Sequence, residues 1–196
     1  MKEQSFKYEA IVIGTSAGGL MALKTILSAL PAHFSMPLLI VQHLAPRSEG
    51  FLAHYLNNTS AIQVKEASPY DMILAGNAFI APPNYHMLVE NDRTISLTVS
   101  QKENYARPSI NVLFDSAARV YKEKLIGLIL TGANNDGSQG IVQIKAAGGL
   151  TIAQDPQTAE AAIMPQMAIN TKCVDKVLKL NEIANLLIAL DDHPTQ

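Results

Sequence analysis

Glu9-Ala-Ile-Val-Ile-Gly-Thr-Ser16-Ala-Gly-Gly-Leu20 is the most informative part of the sequence, because a short apolar run ends here in a turn of small residues that includes Ser16. Residues 10–13 are mostly β-branched, which is typical of a strand buried on both faces. The glycines of the turn permit a tight reversal, and leucines then recur at helical spacing through residue 30. The stretch therefore predicts a strand, a sharp turn and a helix.

The turn Gly14-x-Ser16-x-Gly18 matches the nucleophile-elbow pattern, in which a strained backbone lifts a serine hydroxyl above the sheet. Two alternatives compete with that interpretation. A helix start after a first strand also binds dinucleotides or phosphate, although the spacing here gives neither a G-x-G-x-x-G motif nor a P-loop. The glycines can also serve only close packing of the helix on the strand, which would leave Ser16 without a chemical role.

Length and composition fit a single cytoplasmic domain. The chain has 196 residues and is 48% hydrophobic, enough to bury about 70% of the surface of the unfolded chain. Cys173 is the only cysteine, which excludes an intramolecular disulfide and a cysteine-based zinc site. The first eight residues are polar, and no run reaches the roughly 20 apolar residues of a membrane span, so we expect neither a signal peptide nor membrane insertion.

Charge and metal-ligand patterns exclude further classes of partner. Fifteen basic and 17 acidic residues give a net charge of −2, without long blocks of either sign. Because no basic stripe is interleaved with aromatic residues, we expect no nucleic-acid partner. No His-x-x-x-His spacing or carboxylate cluster accompanies the candidate site residues, so we expect no metal and no cofactor.

The remaining pattern predicts an α/β fold, a three-layer, doubly wound and Rossmann-like domain with a mostly parallel sheet. Apolar runs at 38–42, 125–130 and 150–154 are separated by helical patterns, as parallel strands require. Between residues 62 and 99 the runs are short and alternating. The turns that separate runs 78–81, 86–90 and 94–99 predict an antiparallel hairpin flap beside the parallel sheet. Ser109 is predicted to cap the helix that follows it.

Three predicted strands end in residue types that chemistry can combine, namely Ser16, His43 and Asp136. Loops at the carboxyl ends of parallel strands share one edge of the sheet, so these residues can meet. A serine hydroxyl needs an imidazole to take its proton and a carboxylate to orient that imidazole. Taken alone, His43 fits a hydrogen-bonded structural histidine and Asp136 a turn former. Together the three residues favour a serine hydrolase.

Five stretches resemble motifs of the CheB-type chemotaxis protein-glutamate methylesterase domain, and the similarity runs from about residue 10 to residue 190. Ile-Gly-Thr-Ser-Ala-Gly-Gly at 13–19 resembles the family's Gly-Ala-Ser-Thr-Gly-Gly elbow, and Val-Gln-His-Leu-Ala-Pro at 41–46 resembles its Gln-His-Met stretch. Ile-Ala-Pro-Pro-Asn-Tyr-His-Met at 80–87 resembles its Ile-Ala-Pro-Gly segment, and Arg-Pro-Ser-Ile-Asn-Val-Leu-Phe at 107–114 resembles its Arg-Pro-Ser-Val-Asp-Val-Leu-Phe motif. Leu-Thr-Gly-Ala-Asn-Asn-Asp-Gly at 130–137 resembles its Leu-Thr-Gly-Met-Gly-x-Asp-Gly motif.

The resemblance implies Ser16 as nucleophile, His43 as general base and acid, and Asp136 as the residue that orients His43. The implied reaction is hydrolysis of glutamate γ-methyl esters, with deamidation of glutamine side chains as a second activity through the same acyl-enzyme. Backbone N–H groups of Ala17 and Ala133 stand at the positions that match an oxyanion hole.

The same resemblance implies the partners. These are methyl-accepting chemotaxis receptors, whose cytoplasmic helices carry the esters, and Arg107 is a possible contact to their acidic surface. The family's amino-terminal receiver domain has no counterpart before the first core strand, so residues 1–196 are expected to form one catalytic domain. A separate receiver domain in trans is one expected route of control.

Two residues of the last motif depart from the family pattern, since Ala133 and Asn134 stand where the family usually has Met and Gly. An altered loop here opens the alternative of a catalytically impaired module that binds receptors or an anion on the same fold. The expected discriminating observation is covalent labelling of Ser16 by a serine-reactive fluorophosphonate.

Overall fold

The computed structural model describes residues 8–43 and 50–191. These residues form a parallel sheet covered by helices on both faces, with a separate two-stranded hairpin. The strands are β1 (Ala10–Thr15), β2 (Leu38–Gln42), β3 (Gln63–Glu66), β4 (Asn77–Ile80), β5 (His86–Val89), β6 (Ile95–Thr98), β7 (Leu125–Ile129), β8 (Leu150–Gln154) and β9 (Lys176–Leu178). The helices are α1 (Gly19–Leu27), α2 (Phe51–Asn57), α3 (Ile110–Tyr121), α4 (Ser138–Ala146), α5 (Ile163–Asn170) and α6 (Leu180–Leu190).

The strand order of the sheet places the candidate residues side by side. The order is β3-β4-β2-β1-β7-β8-β9, with every neighbouring pair parallel. From β1 the chain winds outward on one side through β2, and from β7 it winds outward on the other side through β8. The strand order therefore reverses between β1 and β7, which is where open α/β sheets form their sites. The α/β, doubly wound and mostly parallel fold predicted from the sequence is confirmed.

Successive side chains of the central strands pack alternately into two hydrophobic cores, one on each face of the sheet. In β1, Ile11 and Ile13 pack with α1, α2 and α6 on one face, whereas Ala10 and Val12 pack with α3, α4 and α5 on the other. All four side chains are completely buried. Continuous apolar sequence is the expected composition of a strand that helices cover on both faces.

The predicted antiparallel flap is smaller in the structure than the sequence pattern indicated. Among the strands in the described part of the chain, β5 and β6 are the only antiparallel pair, with His86 opposite Thr98. The prediction was wrong for runs 62–64 and 78–81, because β3 and β4 pair parallel to each other and β4 also pairs parallel to β2. A short connection suggested a hairpin between runs 78–81 and 86–90, but Pro82 and Pro83 instead let the chain leave the sheet.

Within the described ranges, no helix combines the length and the apolar character that crossing a bilayer requires. Residues 44–46, part of the motif that follows β2, lie outside the described residues.

Candidate active site

The turn after β1 holds Ser16 without a positive φ. Ser16 is half-buried, and its N–H donates to the carbonyl oxygen of Thr131 at 3.0 Å. The left-handed backbone of this turn belongs to Gly18, with φ of 78°, directly before α1. The glycine two residues after Ser16 therefore supplies the sharp change of direction at little steric cost.

Asp136 lies in the loop after β7, and its side chain is only 2% exposed. Its Oδ1 accepts hydrogen bonds from the Ser109 hydroxyl at 2.9 Å and the Asn111 N–H at 3.1 Å. Its Oδ2 accepts from the Ile110 N–H at 2.7 Å and faces Nε2 of His43 at 2.9 Å. The start of α3 thus encloses the carboxylate, as expected for an anion at a helix N-terminus.

The role of Ser109 differs from the prediction. Ser109 stands directly before α3, but its hydroxyl makes no capping hydrogen bond to the helix backbone. The Asp136 carboxylate takes the N–H groups at the helix start, and the Ser109 hydroxyl donates to that carboxylate instead. The buried charge therefore replaces the serine as the cap.

The contacts around Asp136 stabilise its ionised form. Burial raises its pKa, but the hydrogen bond from His43 and those from the backbone N–H groups of Ile110 and Asn111 outweigh burial and hold the pKa below its usual value. Asp136 is therefore a carboxylate near neutral pH, and it can stabilise a positive charge on the neighbouring imidazole.

His43 extends from the end of β2 toward this carboxylate. Its backbone N–H donates to the Thr15 carbonyl oxygen at 3.1 Å, and its side chain is 15% exposed. While Nε2 faces Asp136, Nδ1 lies 3.1 Å from the side-chain amide nitrogen of Asn134. Ser16 and His43 line the same cavity of about 370 Å³. Ser16, His43 and Asp136, predicted from three separate strand ends, thus come to one edge of the sheet.

The two backbone positions predicted for an oxyanion hole flank this cavity on neighbouring loops. Ala17 and Ala133 are exposed, and within the described part of the chain neither N–H donates a hydrogen bond. Hydrogen bonds with neighbouring segments fix both loops. The Thr131 hydroxyl donates to the Ala17 carbonyl oxygen at 2.8 Å, and the Gly132 N–H donates to the Ala161 carbonyl oxygen at 2.9 Å.

One wall of the cavity is cationic and aromatic. Lys102, Tyr105 and Arg107 line it, and Tyr105 is 97% exposed. Nη1 of Arg107 donates to the carbonyl oxygens of Val99 and Ser100 at 2.7 and 2.9 Å. Arg107 thus lines the same cavity as Ser16, while part of its guanidinium group fixes the loop that carries Tyr105.

Sequence reasoning missed several residues of this site. Asn134 contacts His43, and Ser109 contacts Asp136, although the sequence pattern gave no signal for either contact. His86 is completely buried, where its Nε2 donates to the Gln101 carbonyl oxygen at 3.0 Å and its Nδ1 accepts from the Ser109 N–H at 3.1 Å. The only sequence signal for a role of His86 was its position within the motif at residues 80–87.

A doubly wound α/β domain that brings a serine, a histidine and a carboxylate to its switch point has the architecture of a serine hydrolase. In the parts of the chain that the structure describes, no group of three or more His, Cys, Asp or Glu side chains is arranged to hold a metal ion.

Comparison with known proteins identifies the family. The model of the CheB methylesterase family matches residues 11–187. The crystal structure of the Thermotoga maritima CheB methylesterase catalytic domain superposes with a TM-score of 0.90 at 36% identity, covering 93% of this chain and 98% of that one. This chain belongs to the CheB methylesterase family.

Two curated relatives carry matching names. One, from Leptospira interrogans, is 52% identical over 186 residues, covers 95% of this chain and 96% of its own, and bears the provisional name protein-glutamate methylesterase/protein-glutamine glutaminase. Another, from Symbiobacterium thermophilum, bears that name without qualification and is 39% identical over 177 residues, covering 90% of this chain and 49% of its own.

Proposed function

We propose that this protein hydrolyses glutamate γ-methyl esters on chemotaxis receptors and deamidates receptor glutamine side chains, with Ser16 as the nucleophile. The observation that carries the proposal is the placement of Ser16 and His43 on one cavity while Asp136 holds the far side of the imidazole. Family membership and the names of the relatives support the same activity.

In the proposed first step, the Ser16 hydroxyl oxygen attacks the γ-carbonyl carbon and passes its proton to His43. The acceptor is Nδ1, because Nε2 faces the Asp136 carboxylate. Collapse of the tetrahedral intermediate breaks the bond to the leaving group, and the proton on His43 leaves with it. Methanol is released from the ester and ammonia from the amide.

The second step returns the enzyme to its starting state. A water molecule gives a proton to His43, attacks the acyl carbon and forms a second tetrahedral intermediate. When this intermediate collapses, the glutamate carboxyl group leaves and His43 returns the proton to Ser16. The free N–H groups of Ala17 and Ala133 would stabilise the oxyanion of both intermediates, a contribution of about 10²- to 10³-fold per donor in known cases.

The proposed partner is a receptor helix with acidic residues near the modified side chain. Lys102 and the second guanidinium nitrogen of Arg107 supply positive charge at the cavity wall, and Tyr105 offers an exposed aromatic surface. Receptor esters of this kind lie on cytoplasmic helices, so we place the protein in the cytoplasm. Control by a separate receiver domain in trans stays a prediction.

The direct test is methanol release from a methylated receptor fragment. Ser16→Ala should lower the rate by about 10³-fold or more, while Ser28→Ala, an exposed serine at the end of α1, should keep the wild-type rate. Wild-type release by a correctly folded Ser16→Ala variant would remove Ser16 from the mechanism. Among the described residues nothing favours the impaired binding module, because the Ala133 N–H donates no hydrogen bond there and is available to an oxyanion.

A further inference from the structure

The contacts of Asn134 determine which nitrogen of His43 carries the proton. The side-chain oxygen of Asn134 accepts a hydrogen bond from the Asp136 N–H at 3.0 Å. An N–H group can only donate, so the amide oxygen must face it and the amide nitrogen must face His43. That nitrogen lies 3.1 Å from Nδ1. Because an amide NH₂ group also only donates, Nδ1 is the acceptor and the proton lies on Nε2, toward Asp136.

This arrangement occupies the atom that the proposed mechanism needs. A neutral imidazole has one nitrogen lone pair that can accept a proton or a hydrogen bond. In His43 that lone pair accepts a hydrogen bond from the Asn134 amide. Within the described residues, the hydrogen bonds of Ser16 involve only its backbone N–H and carbonyl oxygen. The serine and the asparagine therefore compete for the same acceptor.

Exposure distinguishes the two side chains that hold the imidazole. Asp136 is buried and fixed by three contacts from the segment that begins α3. Asn134 is exposed and lines the cavity that also contains Ser16. A group that enters this cavity can displace Asn134 while the contacts from the start of α3 still hold the Asp136 carboxylate.

We propose that Asn134 caps the proton-accepting nitrogen of His43 in the substrate-free protein and that the entering substrate displaces it. Displacement exchanges one hydrogen bond for another, since Nδ1 releases the Asn134 amide and accepts the Ser16 hydroxyl. Ser16 is then activated only when a substrate fills the cavity. The inference rests on the proposed function, because it assigns a regulator to the same serine and histidine.

A purely structural role for Asn134 makes the opposite prediction. If Asn134 only fixed the loop through the Asp136 N–H, its truncation would misplace Asp136 and slow the reaction. A cap instead predicts that truncation makes Ser16 more reactive in the absence of receptor. The sign of the change therefore separates the two roles.

The test measures the rate at which a small fluorophosphonate labels the full chain without receptor. Asn134→Ala should label about 2- to 10-fold faster than wild type, the range that one neutral hydrogen bond represents. Asn134→Asp should label more slowly at neutral pH, because it places an acceptor opposite Nδ1 and keeps a proton there. Among the described residues, Asp136 contacts His43 while Lys102 and Arg107 line its cavity, and all three are the same in every variant.

Asn135→Ala is the matched control, since Asn135 is the neighbouring exposed asparagine and uses only its backbone carbonyl in the loop. It should label at the wild-type rate. Unchanged or slower labelling of a folded Asn134→Ala variant would overturn the cap. Wild-type labelling that persists in Ser16→Ala would instead overturn the proposed function, whatever Asn134 does.

A second measurement needs no variant. Nitrogen NMR of the His43 ring in the wild-type, substrate-free protein should show a proton on Nε2 and an unprotonated, hydrogen-bonded Nδ1 near neutral pH. A proton on Nδ1 would contradict the cap directly, because Asn134 could not then donate to that nitrogen.

Discussion

The two edges of the parallel sheet carry similar groups and differ in what those groups can do. The carboxyl edge holds Asp136 and His43 beside a cavity of about 370 Å³. The amino edge holds Glu9 between Arg93 and Lys124, beside a larger cavity of about 450 Å³. Each edge therefore combines a carboxylate, a basic partner and a cavity.

The partners of the two carboxylates differ in rigidity. Asp136 is held by a neutral hydroxyl, two backbone N–H groups and a histidine at 15% exposure. Glu9 is held by the ends of two long side chains that are 54% and 38% exposed. Among the described residues that line the amino-edge cavity there is no histidine. The comparison shows that a fixed carboxylate with a neutral acid–base partner, rather than cavity size or ion pairing, marks the candidate site.

The largest expected contrast comes from converting each carboxylate to an amide. In Asp136→Asn, an amide NH₂ group in place of Oδ2 would face His43 and move the imidazole proton to Nδ1, the nitrogen that must accept the Ser16 proton. An NH₂ group in place of Oδ1 would instead face the Asn111 N–H, with no acceptor between them. We expect kcat for methanol release to fall by about 10⁴-fold. An unchanged rate and pH profile would show that Asp136 does not orient His43.

Ser109→Ala tests the same difference between the two sheet edges, and we expect a smaller fall in kcat than for Asp136→Asn. It removes the hydroxyl that donates to Oδ1 of Asp136, and hydrogen bonds to charged groups contribute about 1.5–3 kcal/mol. We expect kcat to fall by roughly 10-fold or more. Ser116→Ala is the control, because Ser116 is also buried but bonds to Val89 and Leu113 away from the cavity. Equal kinetic losses in both variants would indicate general destabilisation.

Tyr105→Ala tests whether the exposed wall of the carboxyl-edge cavity binds receptor. Removing an aromatic side chain from an interface often costs more than 1 kcal/mol, so we expect KM for the receptor fragment to rise about 5- to 10-fold. Hydrolysis of a small ester should not change. Tyr70→Ala is matched, since Tyr70 is 85% exposed and shares the positive φ of Tyr105 but does not line the cavity. Equal KM values for wild type and Tyr105→Ala would exclude that wall as a receptor contact.

Glu9→Gln should have the smallest effect and should act on stability alone. Burial raises the pKa of Glu9, but hydrogen bonds and positive charge from Lys124 and Arg93 lower it overall. A lowered pKa stabilises the fold above the unfolded value of about 4.3, and that contribution is lost as the pH falls below it. We expect a loss of about 1 kcal/mol or less at neutral pH, with methanol release unchanged.

Denaturant unfolding at neutral pH and near pH 3 measures this effect. Between these two pH values, the free energy of unfolding should decline less in Glu9→Gln than in wild type. A loss of methanol release in this variant would contradict the distinction between the two edges.

Local patterns were enough to predict most of the fold and the approach of Ser16, His43 and Asp136 to one edge of the sheet. The apolar runs that became β1, β2 and β7 each end next to a polar residue, and parallel winding brings those ends together. The pairing of β3 with β4 was not predictable in this way, because their connection lacks the helix that usually announces a parallel pair.

The contacts of Asn134 and Ser109 depend on distances across loops rather than on sequence spacing. Asn134 meets a residue 91 positions away and Ser109 one 27 positions away. Neither spacing follows a helical or strand period, so only the folded arrangement shows that these side chains hold His43 and Asp136.

Trapping of the acyl-enzyme identifies the residue that attacks the ester. A methylated receptor fragment is mixed with the protein, the reaction is quenched rapidly in acid, and the peptides are analysed by mass spectrometry. The proposed mechanism predicts a receptor-derived acyl group on Ser16 that is absent from Ser16→Ala. An acyl group on another residue, with methanol still released, would contradict the assignment of Ser16 as the nucleophile.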